Sequence, residues 1–331
     1  MEFPYPLLVC DVGGTNVRVG AVREPGGGVV RIGNVPTASH STLLATIKPM
    51  QERAMVPARS LLVSAAGPID GAIVRLTNAD LTIDGPEIAN GLGLDQGLLL
   101  NDFEAQALAL PHLPEQWTRA IVADVTIAQG PRLVLRPGTG LGAAALLDAG
   151  GAWLPVRTEA GHMSFGATDG LEQQLWPHLE RVEGRVTFES VLSGPGLVRL
   201  HMAHRKLHGL PAAPAPAADI VATAVAGDAM AVDTLKLFWR LVARCAGDLA
   251  LAFLARGGIT LAGGVLPRLI GWLDPEDFAR VFVARAPVSA LVASMPVKLL
   301  TEPDAALVGL AALAAKPESF LIDYGRRAWR R

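Results

Sequence analysis

Three short apolar runs in this chain stop at glycines: residues 7–11 before Gly13-Gly14, residues 133–135 before Gly138-Thr139-Gly140-Leu141-Gly142, and residues 259–262 before Gly263-Gly264. Runs of this length and apolarity predict strands buried on both faces. Glycine after such a strand turns the chain tightly and leaves backbone N–H groups with no Cβ over them. The pattern predicts open α/β sheets, whose ligands bind at the carboxyl ends of their strands.

Residues 16–22 and 29–35 extend the first run into an antiparallel meander, while residues 61–66 and 97–100 read as central strands ending at Gly67-Pro68 and Asn101-Asp102. Helical patterns cover residues 41–53, 103–110 (closed by Pro111), 170–182, 196–208, 228–255 and 303–315, and residues 210–218 read as a Pro/Ala linker. A strand, a glycine turn and a second strand occur near residue 12 and again near residue 140, an internal duplication in outline.

At about 150 residues per domain, 331 residues predict two domains. With 29 basic and 31 acidic side chains the net charge is -2, which excludes a polycation that holds nucleic acid by counterion release. Cys10 and Cys245 are too few for a disulfide framework or a Cys-rich zinc site, so a reducing compartment is expected. The start lacks a positive n-region and a cleavage site, and its apolar run of about six residues is too short for a signal or a span. A cytoplasmic protein with no membrane or nucleic-acid partner is the expectation. The arginine-rich end, GRRAWRR, reads as a frayed tail over residues 319–331.

Several residues admit a chemical and a structural reading. Asp11 could hold a hydrated magnesium ion beside a phosphate-binding turn at Gly13, Gly14, Thr15 and Asn16, or the turn could be an ordinary hairpin. The spacing of residues 138–142 is neither GxGxxG nor a P-loop, but Thr139 adds a hydroxyl to the backbone donors of Gly138 and Gly140. Asn101-Asp102 could orient a hydroxyl and accept its proton, or cap the helix that follows. Glu159-Ala160-Gly161-His162 has E-x-x-H spacing, yet Gly161 and the lack of a second copy disfavour a metal pair; a loop presenting both side chains to hydroxyls fits better. His201, His204 and His208 share one helical face, which reads as a solvated face in preference to a metal site. Cys10 reads as a small core residue.

Taken together, CDVGGTNVRVG, LTNADL, LLLNDFEAQALALP, PGTGLGAA, RTEAGHMSF, FESVLSGPGLV and GITLAGGVLPRL resemble, in order and spacing, the bacterial glucokinases of the hexokinase and actin superfamily, over about residues 6–315. The absence of cysteine between Cys10 and Cys245 points to the zinc-free branch. The resemblance implies an α/β, two-lobed, actin-like ATPase (ribonuclease H-like) fold with mixed sheets and a central cleft. Residues 1–110 would form a small lobe completed by the helix 303–318, residues 111–302 a large lobe, and 319–331 the basic tail. It implies ATP-dependent phosphorylation of glucose at the 6-hydroxyl, the first step of glycolysis, with ATP and Mg2+ as cofactors and a homodimer as the assembly.

By the same resemblance Asn101, Asp102, Glu159, His162 and Glu189 contact glucose, with Asp102 as the base. Asp11 lies near magnesium through water, Gly13, Gly14, Thr15 and Asn16 near one part of the triphosphate, Gly138, Thr139 and Gly140 near another, and Gly263 and Gly264 under the adenosine. Leu81 stands where the family often has an aromatic residue, and Pro137 where small residues are common. A kinase for another hexose or an amino sugar, or a non-catalytic sugar sensor, are the alternative readings.

Overall fold

The computed structural model describes residues 1–76, 80–122 and 127–331. The expected meander is present as β1 (Leu7–Val12), β2 (Asn16–Val22) and β3 (Val30–Pro36), paired antiparallel in that order. Helix α1 (Leu43–Ala54), begun by the Thr42 side chain accepting from the Ala45 N–H, leads to β4 (Ser60–Ala65). A small pair, β5 (Ile73–Arg75) and β6 (Thr82–Asp84), precedes α2 (Gly85–Leu92), which ends at Gly93 in the left-handed region, φ 69°. Then follow β7 (Gln96–Asn101) and α3 (Asp102–Ala109). Every residue of β1, β4 and β7 is buried, the physical reason these segments read as continuous apolar runs.

The next stretch holds β8 (Thr118–Val122), β9 (Arg132–Pro137), β10 (Leu141–Asp148) and β11 (Trp153–Thr158), then α4 (Gly170–Leu175), α5 (Phe188–Val191), α6 (Gly194–Leu207), α7 (Ala217–Val225) and α8 (Ala229–Phe253). Beyond these come β12 (Ile259–Leu261), α9 (Pro275–Val283), α10 (Ser289–Ala293) and β13 (Val297–Leu300). The helix expected over 170–182 is shorter: Pro177 lacks an N–H, and the chain tightens into a 3-10 turn over Trp176–His178. The Pro/Ala linker holds over residues 210–216, and a helix the spacing did not reveal starts at its end, because the alanines after Pro216 suit a helix once proline is confined to its start.

Helix α11 (Ala305–Ala315) and β14 (Ala328–Arg330) complete the chain. The expectation of a frayed tail over 319–331 is wrong in its last residues. β14 pairs antiparallel with β7, with Trp329 opposite Gly97, and Trp329 is only 5% exposed. A terminus frays when nothing ties it down; here the otherwise open edge of β7 does.

The first sheet has the order β14-β7-β4-β1-β2-β3 and the second β11-β10-β9-β12-β13-β8. Both are mixed. In each, a central strand is parallel to the next (β1 to β4, β9 to β12), that strand is parallel to another (β7, β13), and an antiparallel edge strand follows (β14, β8). The duplication seen in outline is thus one of topology. Two compact units result: Met1–Pro114 with Leu146–Arg157 and Asp304–Arg331, and Glu115–Ala145 with Thr158–Pro303. The core of the first gathers β1, β2 and β4 side chains with Ile47, Leu81, Ile83, Ile88 and Trp329. The second buries Phe238, Trp239, Phe278 and Phe282 around α8 and α9. No described helix is long and apolar enough to cross a membrane.

Candidate active site

In the first unit, β1, β4 and β7 run parallel with Val12, Ala65 and Asn101 in one row, so the residues that follow them emerge at one sheet edge. The β1–β2 turn is narrow: the Gly13 N–H donates to the Asn16 carbonyl at 3.0 Å, and Thr37 braces it, its hydroxyl donating to the Gly13 carbonyl at 2.7 Å and its N–H to the Thr15 carbonyl at 2.9 Å. A Cβ at Gly14 would meet no atom within 4 Å, so this turn presents open backbone.

Asp11 is buried and held at both oxygens. Ser64 Oγ donates to Oδ1 at 2.9 Å and Arg18 Nη1 to Oδ2 at 3.1 Å. Neither partner was among the sequence candidates, although the hairpin register sets Arg18 opposite Asp11 and the parallel register sets Ser64 beside it. Each carboxylate oxygen retains a second lone pair. No group of three or more His, Cys, Asp or Glu among the described residues could hold a metal. A single carboxylate with spare acceptor capacity fits Mg2+, which keeps several waters and is carried largely by substrate phosphates; it does not fit a dedicated protein cage.

At the end of β7, Asn101 caps α3. Its Oδ1 accepts from the Phe103 N–H at 2.9 Å, its Nδ2 donates to the Gly67 carbonyl at 3.0 Å, and Glu104 Oε2 accepts the Asn101 N–H at 3.0 Å, completing a capping box. The capping reading of Asn101 therefore holds in full. Asp102 is the first residue of α3 and 6% exposed, where the helix N-terminal N–H groups favour a negative charge.

In the second unit, Leu141 is the meeting point. Its N–H donates to Glu189 Oε2 at 2.9 Å, and Gly161 packs so tightly on its carbonyl that a Cβ there would collide with it. The same Glu189 oxygen lies 2.5 Å from where a Cβ on Gly140 would sit. Glu189 is placed by α5, whose Thr187 and Ser190 form their own capping box. Glu159 and His162 flank a 3-10 turn, with Oε2 and Nε2 3.8 Å apart and both side chains exposed. The Gly194 N–H donates to the Gly138 carbonyl at 2.8 Å. Gly263, at φ 90°, would drive a Cβ into the Pro137 carbonyl, so this glycine is demanded by the close approach of the β9 and β12 ends, while Gly264 is open. The tertiary structure thus brings Gly138, Thr139, Gly140 and Glu189 together beyond the end of β9, sets Gly263 at the end of β12 against Pro137, and packs the turn between Glu159 and His162 on Leu141.

Three candidates change meaning. Leu81 is fully buried in the core of the first unit, so it touches protein alone and lines no surface. Thr77, Asn78 and Ala79 of LTNADL lie outside the described residues. His201 and His204 do not form a solvated face: both are buried, each with Nδ1 3.1 Å from Thr234 Oγ1 on α8. Cys10 is a buried free thiol, its pKa pushed up by burial and then by Asp11, as expected of an inert core residue.

The family match and the curated relatives agree. Residues 8–317 match the Glucokinase family. A curated glucokinase from Chelativorans sp. (strain BNC1) is 40% identical over 329 residues, 98% of this chain and 96% of its own. One from Rhizobium meliloti (strain 1021) is 38% identical over 332 residues, 100% and 98% of the two chains. Among solved structures, glucokinase from an Antarctic psychrotroph superposes with a TM-score of 0.85 at 31% identity, covering 93% of this chain and 98% of that one. A ROK family glucokinase from Streptomyces griseus, in complex with glucose and AMPPNP, shares the fold with a TM-score of 0.62 at 21% identity, covering 94% and 100%. This chain belongs to the glucokinase family.

Proposed function

We propose that the chain transfers the γ-phosphoryl group of ATP to the 6-hydroxyl of glucose, with Asp102 as the base. Glucose phosphorylation follows from family membership along nearly the whole chain. The observation supporting Asp102 is its delivery by β7, buried, to the sheet edge where β1 delivers the Gly13–Asn16 turn. Two strand spacings of about 4.8 Å separate those two strand ends. That gap suits a carboxylate facing an alcohol and a turn facing phosphate.

In the reaction the glucose O6 forms a bond to the γ-phosphorus, the bond from that phosphorus to the β–γ bridging oxygen breaks, and ADP leaves with the bridging electrons. The O6 proton passes to the Asp102 carboxylate. The open N–H groups at Gly14 and Gly264, with the hydroxyls of Thr15 and Thr139, supply donors to phosphate and ribose oxygens. Asp11, oriented by Ser64 and Arg18, would hold Mg2+ through its water shell, and that ion supplies neutralisation of phosphate charge. In the second unit Glu189 spends one oxygen on Leu141 and keeps the other for a sugar hydroxyl, a role Glu159 and His162 would share; in the first unit Asn101 keeps one amide proton for the sugar. A sugar with a missing or inverted hydroxyl would leave such a partner unpaired.

The test is Asp102→Asn. Turnover should fall by about 10²–10⁴ while calorimetry still detects glucose; turnover near wild type removes Asp102 from the role. Comparing kcat/KM for glucose, mannose, fructose and N-acetylated sugars decides the substrate, with glucose expected first.

A further inference from the structure

The terminal segment that follows α11 has a place in the catalytic apparatus. Glu104 Oε2, the oxygen that caps the Asn101 N–H, also accepts from Arg327 Nη1 at 2.7 Å, and both side chains are almost wholly buried. The guanidinium is held in turn, its Nε donating to the Asp323 carbonyl at 2.8 Å. Arg327 also grips β7 through its backbone, its carbonyl accepting the Leu99 N–H at 3.0 Å. Directly after it, β14 pairs with β7 and the Trp329 indole covers Gly97 and Gly85, where any Cβ would strike the ring.

We infer that Arg327 is a positioning residue for Asp102, acting through Glu104: the chain terminus clamps β7 and the first turn of α3, and so sets the direction in which the carboxylate meets the sugar hydroxyl. This inference rests on the assignment of Asp102 as base. A carboxylate such as Glu104 has several acceptor directions, and without a partner it can turn from the Asn101 N–H toward water. With Arg327 in place one oxygen serves both donors. Lysine lacks the planar fork needed to reach Glu104 and the Asp323 carbonyl together.

Arg327→Met keeps the stem and removes the fork. It should lower kcat by about tenfold or more with KM for glucose and ATP little changed, as small misplacements of a reacting group do. Amide exchange across residues 99–103 should rise by about tenfold, with β2 unaffected. Arg327→Met/Glu104→Gln supplies a neutral cap acceptor that needs no guanidinium, and should return kcat to within about threefold of wild type. Unchanged kcat and exchange in Arg327→Met, with only a lower Tm, would overturn the inference, as would a double variant no better than the single one. If Arg327→Met does not fold, Arg327→Lys is read by the same measurements, since lysine should lose the same contacts. A wild-type enzyme inactive on every hexose defeats the reading of function instead, and exchange at residues 99–103 then judges the clamp alone.

Discussion

Among the described residues of the second unit, Arg244 and Glu172 are the most deeply buried ion pair, each side chain 6% exposed. Glu172 Oε2 also accepts from the Thr168 N–H and hydroxyl, and Arg244 donates to Thr168 Oγ1 and the Gly166 carbonyl while its guanidinium carbon lies 3.7 Å from the Phe165 ring centroid. Phe165 packs on Phe188, beside Glu189, and the Phe165 N–H donates to Val186. The pair therefore props the segments that carry the E-x-x-H turn and Glu189. Arg244→Met leaves an uncompensated carboxylate in the interior and should cost about 3–5 kcal/mol in urea unfolding. Replacing both partners by Met should recover most of that loss, since the desolvated charge is then gone. Arg18 and Ser64 matter in a related way: the buried Asp11 carboxylate has its direction set by groups on two neighbouring strands.

Helices α6 and α8 meet through a shared hydroxyl. Thr234 Oγ1 donates to the Met230 carbonyl at 2.7 Å, so toward His201 and His204 it acts as acceptor and both rings place their proton on Nδ1. Burial lowers both pKa values; His201 is lowered further by Arg205 and opposed by Asp228, and His204 is lowered further by His208 and His201 and opposed by Asp233. In the unfolded chain these rings take up protons near the ordinary value of about 6.5, and in the folded protein only at lower pH. Their contribution is therefore full above about pH 6.5 and is lost as pH falls from there through the depressed folded values. Urea midpoints measured from neutral pH downward should fall more steeply for wild type than for His201→Asn/His204→Asn. Another contact between elements depends on a missing side chain: Gly309 of α11 rests on the Ala105 carbonyl of α3, which is how the helix bearing Asp102 lies close against α11.

Across the whole molecule, each sheet ends parallel strands at glycine turns or helix caps (β1 and β7 in one, β9 and β12 in the other), and ligand binding should be felt as global stability. Glucose present at a hundred times its Kd should stabilise the fold by about 2.7 kcal/mol, read as a rise in Tm that grows with glucose concentration; no rise would contradict glucose as ligand. Much of this architecture is legible residue by residue. The glycine-terminated apolar runs fall on β1, β9 and β12, and the cap expected at Asn101-Asp102 is present, with Asn101 as its residue; Glu104, which completes the capping box, was not among the sequence candidates. Other features leave no local trace. Helix α7 begins only in the last two residues of the Pro/Ala stretch, and the His201 and His204 face looks as polar as a solvated one because its partner Thr234 is 30 or more residues away. The chain by itself determines the strands, their turns and their caps, since these depend on backbone freedom and on neighbours a few residues apart. Only the tertiary structure decides that Ser64 faces Asp11, that Glu189 answers Leu141, and that Trp329 closes over Gly97. Those contacts depend on which buried charge lacks a partner and which strand edge lies open once the sheets have formed.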